Sequence, residues 1–283
     1  MLYPARVVSL MRVTSRVQLR RMGSALVRSL GWKRRRNHRN PSTDIPSIKE
    51  GLKKVILKAL RVNYDSQVGK RGNRYQTVTL GDVKIPGMRT DRSEALDQID
   101  FEGKKVLDLG SNFGQISRGA RTRGAYLVDG YEIDPFFLEI ARAINAYEEE
   151  TRVSFYQRDI ADPSSYIEHY DIVLAFSVWA FLSHSLDKIA EITEQLLIVE
   201  THELDQNVVR ADHCPGAPPS PSSLSEYLRQ ASRWFPCYRI LGRTDGQRRA
   251  VIAFAKDELA LAAGLKASVT EVESSWLGSP QGV

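Results

Sequence analysis

From Phe101 onward, short apolar runs alternate with longer stretches whose apolar residues recur at helical spacing. The runs are Val106–Leu109, Tyr126–Tyr131, Val153–Tyr156, Ile172–Phe176 and Leu197–Val199. Ile172–Phe176 and Leu197–Val199 are wholly apolar, and largely apolar runs of this length suit strands covered on both faces, as in a parallel sheet. The periodic stretches predict helices over Gln115–Arg123, Phe136–Tyr147 and Leu186–Leu196, with Pro135 at a natural helix start. Residues 211–223 form a Pro/Ser/Gly loop, after which Leu224–Trp234 has helical spacing. Tyr238–Leu241 and Ala250–Phe254 are then separated by a turn containing Asp245-Gly246, a hairpin signal. This order predicts an α/β fold: a mostly parallel sheet with helices on both faces, closed by an antiparallel hairpin strand.

The flanks read differently. Leu52, Val55, Ile56, Leu57, Leu60 and Val62 predict a helix over Ile48–Val62. Tyr64–Arg92 is mixed and glycine-punctuated, and the tail from Asp257 reads as a short helix and a frayed end. The expected division is a basic arm with helical segments (1–62), a segment preceding the domain (63–100), an α/β domain (101–256) and a tail (257–283).

Charge sharpens this division. Residues 1–62 hold 16 Lys/Arg against Asp44 and Glu50, a net +14. The whole chain has 40 Lys/Arg and 34 Asp/Glu, so the remainder carries 24 − 32 = −8. A mildly acidic body is not one built to grip nucleic acid. The arm, acid-free through residue 42, is open to four readings: a solvated helical arm, a peripheral anchor on an anionic membrane, a transit peptide, or an RNA-contacting arm. Cys214 and Cys237 are too few for a disulfide framework and lack metal-ligand spacing.

The densest information lies in Lys105-Val-Leu-Asp-Leu-Gly-Ser-Asn-Phe-Gly-Gln115. A buried strand breaks there into a tight turn that opens a helix. Gly110 and Gly114 permit the turn, and Asn112 tolerates left-handed backbone. Asp108 ends the strand on the edge where open α/β sheets bind ligands. An acid at the end of the next strand, Glu132, follows 132 − 108 = 24 residues later. It suits a ribose diol.

Asp108-x-Gly110-x-x-x-Gly114 after a strand resembles the cofactor loop of class I S-adenosylmethionine (SAM) methyltransferases. The terminal helix and hairpin separate it from nicotinamide Rossmann domains. The resemblance covers about residues 101–256. It implies SAM as cofactor and a Rossmann-like methyltransferase sheet. It places Glu132 at the ribose, Asp159 and Ile160 at the adenine, and the Gly110 and Ser111 amides at the methionine part. Asp108 falls near the ammonium, while Phe176 and Ser177 border the sulfonium. Segments preceding the first strand often cover the site mouth in this fold, making Tyr75, Gln76, Arg89 and Arg92 the polar groups of interest. Within the superfamily, Leu197-Ile-Val-Glu-Thr201, Asp205 and Arg249-Ala-Val-Ile252 look like relatives of tRNA wobble-uridine carboxymethyltransferases. There Arg249 matches an arginine facing the active site. Ala180 stands where that family has a tyrosine, so the residues for a carboxylated SAM are not evident and ordinary SAM is expected.

Candidate chemistry sits past the strand ends. His202 and His184 are possible general bases, Glu200 can orient His202 or line the pocket, and Arg249 can hold an anionic acceptor. His202-Glu203 is not a zinc motif, since Gln206 replaces the second histidine. Gly110-Ser-Asn does not supply a hydrolase nucleophile elbow. The expectation is SAM-dependent methylation, at oxygen, of a small molecule or a glycan/lipid precursor. A tRNA-modifying enzyme is the second reading, and a non-catalytic SAM-binding or interaction domain the third. The expected location is cytoplasmic, with or without peripheral membrane attachment, or mitochondrial for a eukaryotic source.

Overall fold

The computed structural model describes residues 45–67, 76–87, 89, 91–182, 184–201, 223–244 and 248–266. Most of the basic arm, Tyr75, His202, Asp205 and Asp245-Gly246 lie outside them. Seven strands form the central sheet: β3 (Lys105–Leu109), β4 (Leu127–Glu132), β5 (Val153–Gln157), β6 (Tyr170–Phe176), β7 (Thr193–Glu200), β8 (Cys237–Thr244) and β9 (Arg249–Ala255). Their spatial order is β5-β4-β3-β6-β7-β9-β8. Strands β3 to β7 pair in parallel, and β9 runs antiparallel to both β7 and β8. This is the Rossmann-like methyltransferase sheet expected from the βα alternation and the terminal hairpin.

Alternation along the strands divides the core. Val106, Val128, Ile172, Leu174, Leu196, Ile198, Val251 and Ala253 face one side. There they meet α3 (Gln115–Thr122), α4 (Pro135–Glu148), α2 (Ser93–Asp97) and α7 (Glu258–Gly264). Leu107, Leu109, Val173, Ala175, Leu197, Val199, Ile252 and Phe254 face the other. They pack on α5 (Leu186–Ile192) and α6 (Leu224–Ala231). Extending the period by two places Asp108, Glu132 and Glu200 on the first face, at the carboxyl ends of β3, β4 and β7. Arg249, two residues before Val251, starts β9 on that face too.

The helix starts are chemically marked. Asp134 accepts from the Phe136 amide ahead of α4, with Pro135 in the first turn. Asp257 accepts from the Ala260 amide at α7. One boundary corrects the sequence reading. The helix expected over Leu186–Leu196 ends at Ile192, and β7 starts at Thr193. The Thr193 hydroxyl donates to the Ile189 carbonyl (2.6 Å), closing the last turn, while its backbone turns extended and its position pairs with Tyr170 of β6. A β-branched residue fits that switch.

The segment before the sheet is docked onto it. Helix α1 (Ile45–Gln67) buries Leu52, Ile56, Ala59 and Leu60 against Ile140, Ala143 and Ile144 of α4. A small hairpin, β1 (Val78–Leu80) and β2 (Val83–Ile85), joins the same cluster through Val78, Leu80 and Ile85. Burying each large side chain contributes about 1.5–3 kcal/mol, so this segment is held by its own apolar contacts.

The turn after β3 is closely packed. Gly114 has φ +76°, and a Cβ there would collide with the Phe155 ring. Gly114→Ala is expected to destabilise the protein by about 2–4 kcal/mol, combining left-handed backbone strain with overpacking. Urea denaturation measures this. A change under about 0.5 kcal/mol, the usual range for neutral surface substitutions, would contradict the reading.

Candidate active site at the carboxyl edge of the sheet

Two groups of polar residues face each other across the sheet edge. The first lies over β3 and β4. Asp108 is buried, and one of its oxygens accepts from the Ser117 hydroxyl at 2.5 Å. Burial pushes its carboxyl up to about 7, against smaller opposing effects of Ser117 and Arg92. Glu132 is buried at the end of β4. Its two oxygens accept from separate backbone amides, Asn112 at 2.8 Å and Asp134 at 2.9 Å. Burial raises its pKa despite those bonds. Each oxygen keeps a lone pair for another donor. Asn112 is left-handed, φ +51°, as its residue type allows.

The loop between these acids departs from expectation at one point. The Gly110 and Ser111 amides both donate to the Tyr131 carbonyl at 2.9 Å, which ties the turn to the end of β4. They are therefore engaged, not turned toward a ligand. The Ser111 hydroxyl, by contrast, is buried and has no partner among the described residues. Gln76 crosses from the preceding segment, accepting from the Gln115 amide (3.1 Å) and donating to the Ser111 carbonyl (3.3 Å). It thus satisfies an otherwise open amide at the start of α3. The Ser111 hydroxyl and the Glu132 lone pairs leave hydrogen-bonding capacity open on this part of the edge.

Asp159 is exposed and its side chain accepts from the Ala161 amide (2.9 Å). Ile160 is partly buried against the second core cluster. Ile133, directly after Glu132, is 58% exposed, a large apolar surface on the same rim that the sequence reading passed over.

The second group centres on Glu200, fully buried at the end of β7. Its carboxylate accepts from Arg89 Nη2 (2.5 Å), Arg92 Nη2 (2.5 Å), Arg92 Nε (3.1 Å), the Thr244 hydroxyl (2.7 Å) and the Ser177 hydroxyl. Burial alone would raise its pKa, but the Arg92 and Arg89 guanidiniums outweigh it and hold the carboxyl at about 2. Arg249 Nη1 donates to Ser177 Oγ (3.0 Å) and lies 4.0 Å from Glu200. Ser177 is left-handed at φ +62°, a strained conformation for serine that its three side-chain contacts help to hold. Arg92 also lies 5.2 Å from the Phe176 ring centroid, a cation–π distance.

The strand ends thus gather Asp108, Glu132, Phe176, Ser177, Glu200 and Arg249, with Gln76, Arg89 and Arg92 supplied from before the sheet. Glu200, expected to orient His202 or line a pocket, is occupied with the arginines. His184 is exposed. Ser117, in the first turn of α3, and Thr244, at the end of β8, had no signal in the sequence beyond being polar.

The sheet order, five parallel strands with an antiparallel strand inserted before the last, is the deciding observation. The fold is that of a class I methyltransferase. No family model matches the chain. Over 49 residues it is 43% identical to the ribosomal protein L11 methyltransferase of Deinococcus radiodurans, covering 17% of this chain and 18% of that protein. Among solved structures it is similar to the complex of the Haloferax volcanii Trm112 methyltransferase activator with a methyltransferase. That likeness has 18% identity, TM-score 0.47, and covers 59% of this chain and 90% of the other. The ribosomal protein L11 methylase of Lactobacillus delbrueckii subsp. bulgaricus is 12% identical, TM-score 0.43, over 58% and 75%. The bifunctional kinase-methyltransferase WbdD is 20% identical, TM-score 0.42, over 54% and 35%. The chain therefore spans well under half of the curated relative and of WbdD.

The Asp108 environment makes a pH prediction. The folded pKa of about 7 lies above the ordinary aspartate value, so the folded state holds this proton more tightly. The associated stability is full below about pH 4 and is lost as pH rises toward 7. Asp108→Asn cannot titrate. From pH 5 to pH 7 the wild type should lose about 2 kcal/mol relative to this variant, measured by urea denaturation at both pH values. A difference independent of pH would contradict the assignment.

Proposed function

We propose that this chain is a SAM-dependent methyltransferase acting at oxygen on a small molecule or a glycan/lipid precursor. The observation that carries the reading is Glu132. A carboxylate buried at the end of β4, each oxygen fixed by one backbone amide, is a preorganised acceptor for a pair of hydroxyls. In this reading Glu132 holds the ribose diol, and Ile133 and Ile160 flank the adenine, with Asp159 at its edge. The Ser111 hydroxyl finds its partner on the methionine part. Asp108, near neutrality in its pKa, gives up its proton and balances the ammonium. Gly110, Asn112 and Gly114 shape the loop. SAM supplies an electrophilic methyl group on a sulfonium. Phe176 and Ser177 border that centre, and the acceptor enters over β6 and β7.

Methyl transfer is an in-line displacement, so the residues contribute mainly position and exclusion of water. A neutral hydroxyl acceptor also needs a base, for which His202 is the candidate and His184 the second. A tRNA acceptor is the alternative supported by the +14 charge of residues 1–62.

Calorimetry on the full chain tests the reading. SAM should bind the wild type, and Glu132→Ala should weaken it by roughly tenfold or more, the loss of charged hydrogen bonds worth about 1.5–3 kcal/mol. A folded wild-type protein that does not bind SAM would overturn it. Binding without turnover on any acceptor would favour the non-catalytic domain.

A further inference from the structure

The backbone amides from Gly110 to Gln115 each donate to an identified acceptor. Gly110 and Ser111 donate to the Tyr131 carbonyl. Asn112 donates to Glu132 Oε2, Phe113 to the Asn112 side chain (2.9 Å) and Gly114 to the Ser111 carbonyl (2.7 Å). Gln115 donates to Gln76 Oε1. The turn therefore uses its donors to hold its own shape. What it offers a ligand is the carboxylate that it aims, because the Asn112 amide fixes one oxygen of Glu132.

Gln76 is the acceptor that comes from before the sheet. Its side chain is buried and bridges the two ends of the turn: Nε2 donates to the Ser111 carbonyl at 3.3 Å, and Oε1 accepts from the Gln115 amide at 3.1 Å. Gln115 returns the contact, its side-chain oxygen accepting from the Thr77 amide at 3.0 Å. The Thr77 hydroxyl accepts in turn from the Gly87 amide (3.0 Å), and a Cβ on Gly87 would collide with the Gln76 backbone. A reciprocal pair of glutamines thus locks this segment to the start of α3, and Gly87, just past β2, lets the chain pass that closely.

The turn needs such support. Asn112 is left-handed, and left-handed backbone at a residue other than glycine persists where surrounding contacts hold it. Phe113, the next residue, is buried in one cluster with Val78, Leu80 and Ile85 of the β1–β2 hairpin, its ring edge-to-face with Phe137 at 5.1 Å between centroids. The segment before the sheet therefore grips the turn twice. Apolar packing at Phe113 is non-directional. The two Gln76 hydrogen bonds are directional, and they fix where the Ser111 carbonyl and the first amide of α3 lie.

We propose that Gln76 is a positioning residue for the cofactor: it holds the 111–115 turn so that the Asn112 amide aims the Glu132 carboxylate at the ribose hydroxyls. This rests on the methyltransferase reading and adds to that site a part supplied from before the sheet. Gln76 touches the turn and not the nucleoside. Its contribution is to hold the acceptor in its binding geometry before the ligand arrives, which lowers the cost of ordering it on binding. The route runs from Gln76 through Ser111 and Gln115 to Asn112, and from there to Glu132. Two residues that act along one route have effects that are not independent.

The test is a double-mutant cycle on the full chain, read as S-adenosylhomocysteine affinity by calorimetry. Gln76→Met nearly keeps the side chain's volume and removes both hydrogen bonds. Gln115→Ala, at a partly exposed position where alanine favours the helix, loosens the same tie from the other side and serves if the first variant does not fold. Circular dichroism checks folding. Gln76→Met should weaken binding by roughly tenfold and Gln115→Ala by about threefold. In the Glu132→Ala background neither should change it by more than about twofold, because the carboxylate they aim is gone. Equal losses in the two backgrounds would overturn the proposal and leave Gln76 as a tie that only holds its segment to the sheet. Unchanged affinity in the folded variants would overturn it as well. In both of those results the wild type binds S-adenosylhomocysteine. A folded wild type that does not bind it would reject the methyltransferase reading, and this proposal with it.

Discussion

The Glu200 carboxylate is buried at the end of a parallel strand, where an isolated charge would not survive. Arg89 and Arg92 reach it from a segment more than a hundred residues earlier, and Thr244 reaches it from the terminal hairpin. The pairing therefore joins three parts of the chain at one edge of the sheet. It also fixes Ser177, whose left-handed backbone ends β6 next to the proposed reacting centre. Removing one partner of such a cluster leaves the others buried and unmatched, a loss of about 3–5 kcal/mol in comparable buried pairs. The geometry of this half of the edge depends on this contact.

The other half of the edge is organised differently. Around Asp108 and Glu132 the charges are negative, and they are anchored by backbone amides and a serine hydroxyl. A ligand with a diol and an ammonium suits that half. The two halves meet at Phe176, Ser177 and Arg92. In the proposed reading, opposite fields on adjacent halves of one sheet edge orient a donor and an acceptor before any chemistry occurs.

Much of the fold was legible in the sequence because buried parallel strands are written as short, largely apolar runs. Ile172–Phe176 could be located from that alone, and Val106–Leu109, interrupted by Asp108, from that together with the glycines that follow it. The end of the helix at Ile192 could not, because Glu194 and Leu196 continue a helical spacing while Thr193 switches the backbone through one hydrogen bond. The places of the strand-end acids and loop glycines were equally legible: Asp108 and Glu132 lie at the ends of β3 and β4, with Gly110 and Gly114 in the turn after β3. The acceptor half was not. Arg89 and Arg92 stand out only as basic residues in a glycine-punctuated segment. Their pairing with Glu200 spans 111 and 108 residues, and no local period encodes contact at that separation. Likewise nothing local in the sequence shows that the Tyr131 carbonyl, on the next strand, takes both the Gly110 and Ser111 amides.

The central claim is that cofactor and acceptor divide this edge between them, the first over β3 and β4 and the second over the Glu200 cluster. A crystal structure of the full chain with S-adenosylhomocysteine tests it most directly. The account predicts the ribose hydroxyls on Glu132 and the thioether sulfur beside Phe176 and Ser177, with Arg89 and Arg249 left free of the nucleoside. The amino-acid carboxylate seated on Arg89 and Arg249, or a nucleoside bound away from Glu132, would contradict it.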